Sequence, residues 1–407
     1  MISVKSALER ISNSCELLPA ETISLENSLG RVLAKDALAR RTHPPFPVSA
    51  MDGYALRAED VNKVPVKIKV VGEIPAGKNF PKKINAGEAV RIFTGARVPI
   101  GANCIVIQEN TSKMSSADYV TVNLTADQGD YIRPAGLDFK NGEKLLHKGD
   151  WVNPRSLGLL AAMNIPWLSV VRKPNVAILS NGNEIVLPGE QIGENQIISS
   201  NGSALAAAIS NFGANSIQIG IADDDPKSIA EAIEASKGAD LLITTGGASV
   251  GDHDFMKSAL ELAGFNFEFW KVAIRPGKPI MFGKLYDKIV IGLPGNPVSA
   301  LICAQIFVLP AIKAMLGVKC HYSREFSSAH LLSPLKANDE RQDYLRARLT
   351  ISEGEFLKVE PFDKQDSSMI SNLAQSDCLI IREPNAPSAK IGDLVKVLRL
   401  DQPLLTI

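Results

Sequence analysis

Cysteine is scarce and unpatterned in this chain. Of 407 residues only five are cysteine, at positions 15, 104, 303, 320 and 378. Their number is odd, no CxxC pair occurs, and even Cys303 and Cys320 stand 17 positions apart. This excludes a disulfide framework and a zinc finger, and points to free thiols in a reducing cytoplasm. The histidines, His43, His147, His253, His321 and His330, form no HExxH pair. Neither sign of charge is in excess: Lys+Arg and Asp+Glu both number 44. A chain built to coat nucleic acid needs surplus Lys and Arg, so no nucleic-acid partner is expected. A clean membrane span is missing too. Residues 289–312 carry no charge, but Leu293–Pro297 cuts the run near its start, and Gln305 and Pro310 interrupt the rest. A span needs about 20 predominantly apolar residues, so a buried strand, a tight loop and a buried helix are expected instead. At the N-terminus, Glu9 and Arg10 break any signal-peptide core. A short amphipathic helix capped by Ser3 is expected there.

What is present is an ordinary globular balance, 45% hydrophobic and 22% charged, enough for sizeable cores. At roughly 150 residues per domain the length corresponds to two to four domains. Residues 41–49 carry three prolines and read as an extended linker. From 50 to 138 short β runs dominate, at 64–72, 89–93, 104–108 and 119–124. A helix opens with Asn153 as N-cap and Pro154 at its first position. Beyond Lys173-Pro174 the pattern alternates. Strands at 175–180, 216–221 and 240–245 are each followed by a helical run, then come strands 267–274, 278–283 and 288–293 and a helix after Pro297. Such alternation predicts a doubly wound, mostly parallel sheet with helices on both faces. After about Lys319, the runs 345–351, 356–362, 378–383 and 393–400 predict a small β domain.

In an open α/β sheet, ligands bind beyond the carboxyl ends of the strands. Three such ends carry glycine-rich loops: Ser180–Glu184, Thr244–Asp254 and Gly292–Ser299. Glycine lets backbone N–H groups approach an anion, and the helix behind each loop adds its positive end. Three such loops point to a phosphate-bearing ligand. The candidate binding residues are Ser180, Gly182, Gly246, Gly247, Ser249, Gly251, Pro294, Gly295, Asn296, Pro297 and Ser299. Lys271, Arg275 and Lys278 follow one another within eight residues. In a strand, Lys271, Ala273 and Arg275 would share a face. A solvated strand edge explains these cations slightly better on the residues alone. Glu184, Asp224, Asp225, Asp252 and Asp254 cluster in the same loops and suit Mg²⁺, which takes one or two carboxylates plus substrate phosphates. Helix capping accounts equally well for Asp225 and for Asp252 or Asp254, but not for Glu184.

Two pattern matches fail on context. Gly247–Gly251 fits the GxSxG nucleophile elbow, but His321 and His330 fall in the β tail, and an Asp-His-Asp run suits a tucked helix poorly. Gly72–Lys78 fits GxxxxGK, but Asn79 replaces the Ser/Thr and Pro81 follows where a helix should run. Ser49–Ala55 and Arg91–Ala96 read equally well as strand turns.

Taken together, PPFPVSAMDGYAL, RIFTGARVP, SNGNE, TTGGASVGDHDF, RPGKP and GLPGNPVSA closely resemble, in this order, the bacterial MoeA proteins and the gephyrin E domain. These are molybdopterin molybdenumtransferases, and the resemblance spans essentially the whole chain. It implies an enzyme that takes adenylylated molybdopterin and molybdate, cleaves the adenylate and inserts the metal, releasing AMP and molybdenum cofactor with Mg²⁺ assisting. The implied fold is α/β multidomain. A doubly wound, mostly parallel molybdopterin-binding α/β domain (173–320) is flanked by an elongated linking domain (1–44 plus 139–172) and two small β domains (45–138 and the barrel-like 321–407).

The implied assembly is a cytoplasmic homodimer in which the N-terminal half of one chain reaches the partner's α/β domain. The upstream adenylyltransferase and molybdoenzyme apoproteins are further implied partners. Catalytic roles are implied for Asp52, Thr94, Asp138, Glu184, Asp224 and Asp254, with Glu184, Asp224 and Asp254 holding the metal. Within Asp223–Asp225 the register is open by one. Lys271, Arg275 and Lys278 match the family's basic stretch, Pro294 and Pro297 shape the last loop, and Arg346 and Ser367 are the C-terminal contribution. Arg275 stands where many relatives carry Lys, which exchanges a point charge for a forked donor. Gln365–Met369 departs from the commoner glycine-containing form, which bears on Ser367. A serine hydrolase, the preceding adenylyltransferase and a non-catalytic molybdopterin-binding scaffold are the competing classes.

Overall fold

The computed structural model describes residues 1–113, 118–246, 255–318, 326–350 and 356–400. Its contacts divide the chain into two compact units: Met1–Lys35, Lys148–Pro154 and Ser169–Ile407 form one, and Asp36–His147 and Arg155–Leu168 the other.

The first unit is built on a six-stranded sheet. Across it the strands run in the order Asn215–Ala222, Asn175–Asn181, Leu241–Thr245, Lys288–Leu293, Met281–Leu285 and Asn266–Trp270. The first four are parallel, and the last two add on antiparallel. Both faces are covered, so the central strands carry unbroken apolar runs, Val176–Leu179 and Leu241–Ile243, and turn polar only toward their ends. Val176 and Ile178 join the core on one face and Ala177 and Leu179 that on the other, as expected of parallel strands buried on both sides. From Asn175–Asn181 the chain moves first to one neighbour, Asn215–Ala222, and then crosses to the other, Leu241–Thr245. The strand order reverses there and leaves a crevice at the carboxyl ends.

The expected strand over 267–274 does not form as one piece. It ends at Trp270, Lys271 takes a positive φ of 80°, and Ile274–Arg275 instead pairs in parallel with Gln342 and Asp343. The shared face expected for Lys271, Ala273 and Arg275 is therefore lost, because the backbone turns between the first and the last of them.

The uncharged run after Pro297 is a helix, Pro297–Met315, apolar and long enough by composition to cross a membrane, but its apolar window is 83% buried inside the protein. It widens into one π turn, Ala304–Val308, just before Pro310. Proline has no N–H and crowds the carbonyl four residues back, which accounts for the wider turn. The N-terminal helix Val4–Ser14 begins where expected, with Ser3 Oγ accepting the Ser6 N–H at 3.1 Å. It buries Val4, Ala7 and Ile11 against the same core. The C-terminal strands Phe326–Leu331, Gln342–Thr350, Lys358–Pro361, Cys378–Arg382 and Leu394–Arg399 close on themselves. Gln342–Thr350 pairs with both Lys358–Pro361 and Cys378–Arg382.

The second unit contains a six-stranded sheet in the order Cys104–Ile107, Gly53–Leu56, Glu88–Ile92, Val66–Ile74, Tyr119–Val122 and Thr111–Lys113. Its proline-rich segment is extended, as expected, but stitched down. His43 bridges Phe139, and Val48–Ser49 pairs with Ile132–Arg133. Cys15, Cys104, Cys303 and Cys378 are free thiols.

Candidate active site

Two of the glycine-rich loops meet at the crevice. Gly246 ends the Leu241–Thr245 strand with φ +93°, and a Cβ there would lie 2.3 Å from the Asn181 carbonyl oxygen. Only glycine lets the two strand ends approach this closely. A Cβ on Gly295 would in turn sit 3.5 Å from the Gly246 Cα. Asn201, the first residue of the helix Asn201–Asn211, fastens the loops together: its Nδ2 donates to Thr245 Oγ1 at 2.9 Å and to the Gly295 carbonyl at 2.7 Å. Thr245 Oγ1 donates to the Pro294 carbonyl at 3.2 Å. Ser180 and Ser299 are buried beneath this clasp, as is Pro294, while Gly295 and Asn296 are exposed. Asn181 Oδ1 and Thr244 Oγ1 are buried with no hydrogen-bond partner among the described residues. Each such group costs about 1–3 kcal/mol, strain that proteins tolerate chiefly where a site needs it.

The acids separate by role. Asp225 caps the helix Pro226–Ala235, accepting from the N–H groups of Lys227 (3.1 Å) and Ser228 (2.9 Å). Asp224 instead turns to the first loop. It accepts from Asn181 Nδ2 at 3.2 Å and from the Asn183 N–H at 3.3 Å, and its own N–H donates to Asn183 Oδ1 at 3.1 Å. The exposed Glu184 folds its carboxylate back over Gly182, where a Cβ would meet Oε2 at 2.4 Å. Among the described residues, no three His, Cys, Asp or Glu side chains gather closely enough to hold a metal ion. Gly247, Ser249, Gly251 and Asp254 lie outside the described residues, as do Asp252, His253 and His321.

The basic stretch is less uniform than its sequence. Arg275 forms ion pairs with Asp339 and, at 3.2 Å, with Asp343. Burial pushes the Asp343 carboxyl above the usual carboxylate value, with Arg275 opposing. Hydrogen bonds from the side chain and backbone of Arg341 hold Asp339 well below that value. Lys271 and Lys278 have no ion pair among the described residues. Gly277, between Arg275 and Lys278, has φ +110°, and a Cβ would strike Cys303 Sγ at 2.2 Å, so the turn packs directly on the helix that starts at Pro297. Arg346 is buried and bonded to Gln365 Oε1 (3.2 Å) and the Met369 carbonyl (3.2 Å). Burial lowers its pKa from the ordinary arginine value. It thus braces the loop carrying Ser367, whose Oγ accepts from Asn296 Nδ2 at 2.8 Å.

In the second unit the register sets a separate pair. Gly53 lies opposite Ile92, which brings the residue before the one strand beside the loop after the other. Asp52 Oδ1 accepts from both the N–H and the Oγ1 of Thr94, each at 2.8 Å. These two bonds, backbone first, hold the Asp52 carboxyl below its ordinary value, with Arg91 adding to the effect. Arg91 donates to the Gly53 carbonyl at 3.2 Å and lies over the rings of Tyr54 and Phe93. Asp138 is exposed, its N–H bonded to the His43 carbonyl at 3.1 Å. Asn181, Asn183, Asn201, Arg91 and Gln365 were not singled out from the sequence. Only Asn201 carried a signal, as a polar residue opening an apolar helix.

A Haemophilus influenzae protein named molybdopterin molybdenumtransferase is 34% identical to this chain over 391 residues, covering 95% of this chain and 96% of that protein. The chain belongs to the molybdopterin molybdenumtransferase family. A second member, from Nostoc, is 33% identical over 93% of the chain and 88% of its own length. Three family models match in succession: the MoeA N-terminal region (domain I and II) over residues 2–164, a "probable molybdopterin binding domain" over 177–314, and the MoeA C-terminal region (domain IV) over 328–400. Two solved MoeA structures from Pyrococcus horikoshii superpose with TM-scores of 0.82 and 0.85, at 30% and 27% identity, over 98% or more of both chains. The fold is that of this family, an α/β domain with β-rich N- and C-terminal parts.

Proposed function

We propose that this family member inserts molybdate into adenylylated molybdopterin, releasing AMP and molybdenum cofactor. It would act as a cytoplasmic homodimer with four domains bounded as the resemblance implies. The observation that carries this reading is the clasp at the strand-order reversal, where Asn201 ties Thr245 to Gly295 and two loop carboxylates stand alongside. Loop N–H groups and helix N-termini there suit pyrophosphate oxygens. The ammoniums of Lys271 and Lys278, with no ion pair among the described residues, add positive charge, whereas Arg275, held by two aspartates, acts through the fold. Ser367 and Arg346 hold Asn296 and its loop in place. Asp52, kept ionised by Thr94, and the exposed Asp138 are the contributions of the second unit.

Mg²⁺ fits the acids present. Among the described residues the Glu184 carboxylate accepts no hydrogen bond, and Asp224 accepts one long bond on each oxygen, so both keep lone pairs for a hard cation that also takes phosphate oxygens. When bound, such an ion offsets the charge developing on those oxygens. The test is AMP release from adenylylated molybdopterin with and without molybdate. Release that depends on molybdate is expected; release indifferent to molybdate, or none, would overturn the assignment.

Two predictions follow from the positioning groups. Asn201→Asp keeps the shape but loses the amide donor, and two hydrogen bonds at about 0.5–1.5 kcal/mol each correspond to roughly a tenfold loss in kcat/KM. Unchanged kinetics would show that the clasp does not shape the site. Thr94→Val removes the side-chain bond to Asp52 but not the backbone one. The Asp52 titration, followed by carboxyl-carbon NMR, should move up partway toward the ordinary value. A depressed carboxylate stabilises the fold above its unfolded pKa and loses that contribution as pH falls through the folded one, so the variant should lose it at higher pH. An unmoved titration would assign the shift elsewhere.

A further inference from the structure

At the opposite end of the parallel sheet, beneath the amino ends of the Leu241 and Lys288 strands, lies a cavity of about 820 Å³ lined by none of the glycine-rich loop residues. Its walls come from the end of the Pro226–Ala235 helix, the turn 236–240, the hairpin joining Met281–Leu285 to Lys288–Leu293, and the segment after the N-terminal helix. That volume lies within the range of small-molecule sites. The lining is mainly apolar, with Ile233, Leu285, Ile289 and Met315 among its members.

Charge is arranged unevenly around it. Asp240 is already spent: Arg172 grips both of its oxygens, at 2.7 and 2.9 Å, and the Asn175 N–H adds a bond at 2.7 Å. Glu234 pairs with Lys237 at 2.6 Å. Among the described residues two lysines have no carboxylate within ion-pair distance, although Glu234 attracts Lys288 from farther off. Lys288 Nζ donates to the Ser236 carbonyl (2.5 Å) and Oγ (2.9 Å), both neutral acceptors, and burial lowers its pKa from the ordinary lysine value. The half-buried Lys284 side chain makes no hydrogen bond or ion pair among the described residues, although its charge acts on Cys15. Glu16 and Asp287, both exposed, stand among the lining residues.

We propose that this cavity binds a small amphipathic anion bearing a single negative charge, its apolar body against Ile233, Leu285 and Ile289 and its anionic group on Lys284 and Lys288. An anion there gives two under-compensated ammoniums a charge-assisted partner. The exposed acids Glu16 and Asp287 repel a polyanion, which separates this site from the phosphate-type loops at the other end of the sheet.

The test uses the whole protein and 2-naphthalenesulfonate as probe, with binding followed by calorimetry. Saturable binding is expected, weakened about tenfold in Lys288→Met and further in Lys284→Met/Lys288→Met. Methionine keeps most of the stem's packing, and circular dichroism confirms that each variant is folded. Glu184→Gln should leave this binding unchanged, so the proposal stands or falls apart from the transferase reading. Glu16→Gln/Asp287→Asn should tighten binding of 2-naphthyl phosphate more than that of the sulfonate. Absence of saturable binding, binding indifferent to the lysine variants, or loss in Glu184→Gln would overturn the proposal. Equal effects of the acid variants on both probes would overturn the charge preference.

Discussion

Replacing Glu184 by glutamine is expected to leave the fold intact and to reduce Mg²⁺-supported AMP release by about a hundredfold. Glu184 is exposed and, among the described residues, its carboxylate forms no hydrogen bond that the change would break, so unfolding is not the expected route of loss. Glutamine keeps the shape but removes the negative charge a hard cation requires, and metal stabilisation of developing phosphate charge is worth several kcal/mol. The loss should be partly recovered at high Mg²⁺, with thermal unfolding of the metal-free protein unchanged. Near-wild-type turnover at limiting Mg²⁺ would remove Glu184 from the metal set.

Asp52→Asn and Glu184→Gln chains, each with only residual activity by itself at limiting Mg²⁺, are expected to regain activity when co-expressed. If each site takes Asp52 from one protomer and Glu184 from the other, a two-fold mixed dimer gathers both defects in one site and leaves its second site intact. About half of the wild-type activity per mixed dimer should then return. The physical gain of such sharing is closure, since a second wall excludes water and strengthens the electrostatics around the phosphates. If both residues served one site within a single chain, every site would keep a defect, and no recovery would falsify the shared arrangement. Differently tagged copies isolate the mixed dimer, so failure to dimerise is scored separately from failure to complement.

Much of this molecule is legible along the chain because much of it is local. Alternation of apolar runs with Gly-Pro punctuation dictates strands and helices through short-range backbone preferences. The parallel sheet follows because strands joined by helices have little other way to bury both faces. The glycine loops at Ser180, Thr244 and Gly292 could be placed for the same reason: position at a strand's carboxyl end is a consequence of topology. The Ser3 cap and the buried helix after Pro297 likewise depend only on neighbours within a few residues.

Tertiary structure alone decided which polar groups meet. Asn201 reaches residues 44 and 94 positions away, and nothing in its local sequence says so. Asp224 and Asp225 are adjacent and chemically identical, and only the approach of Asn181 and Asn183 turns one toward the loop while the other caps a helix. The fork of Arg275 is taken up by Asp339 and Asp343, more than sixty positions on, a pairing that its local sequence does not announce. The strand that should have aligned it with Lys271 was broken by a competing pairing with Gln342 and Asp343. Local propensity sets which elements form at a cost of tenths of a kcal/mol per residue. The pairing of charges and hydrogen bonds is settled by long-range packing, where a single unmet buried group costs about 1–3 kcal/mol and so overrides what the sequence suggests nearby.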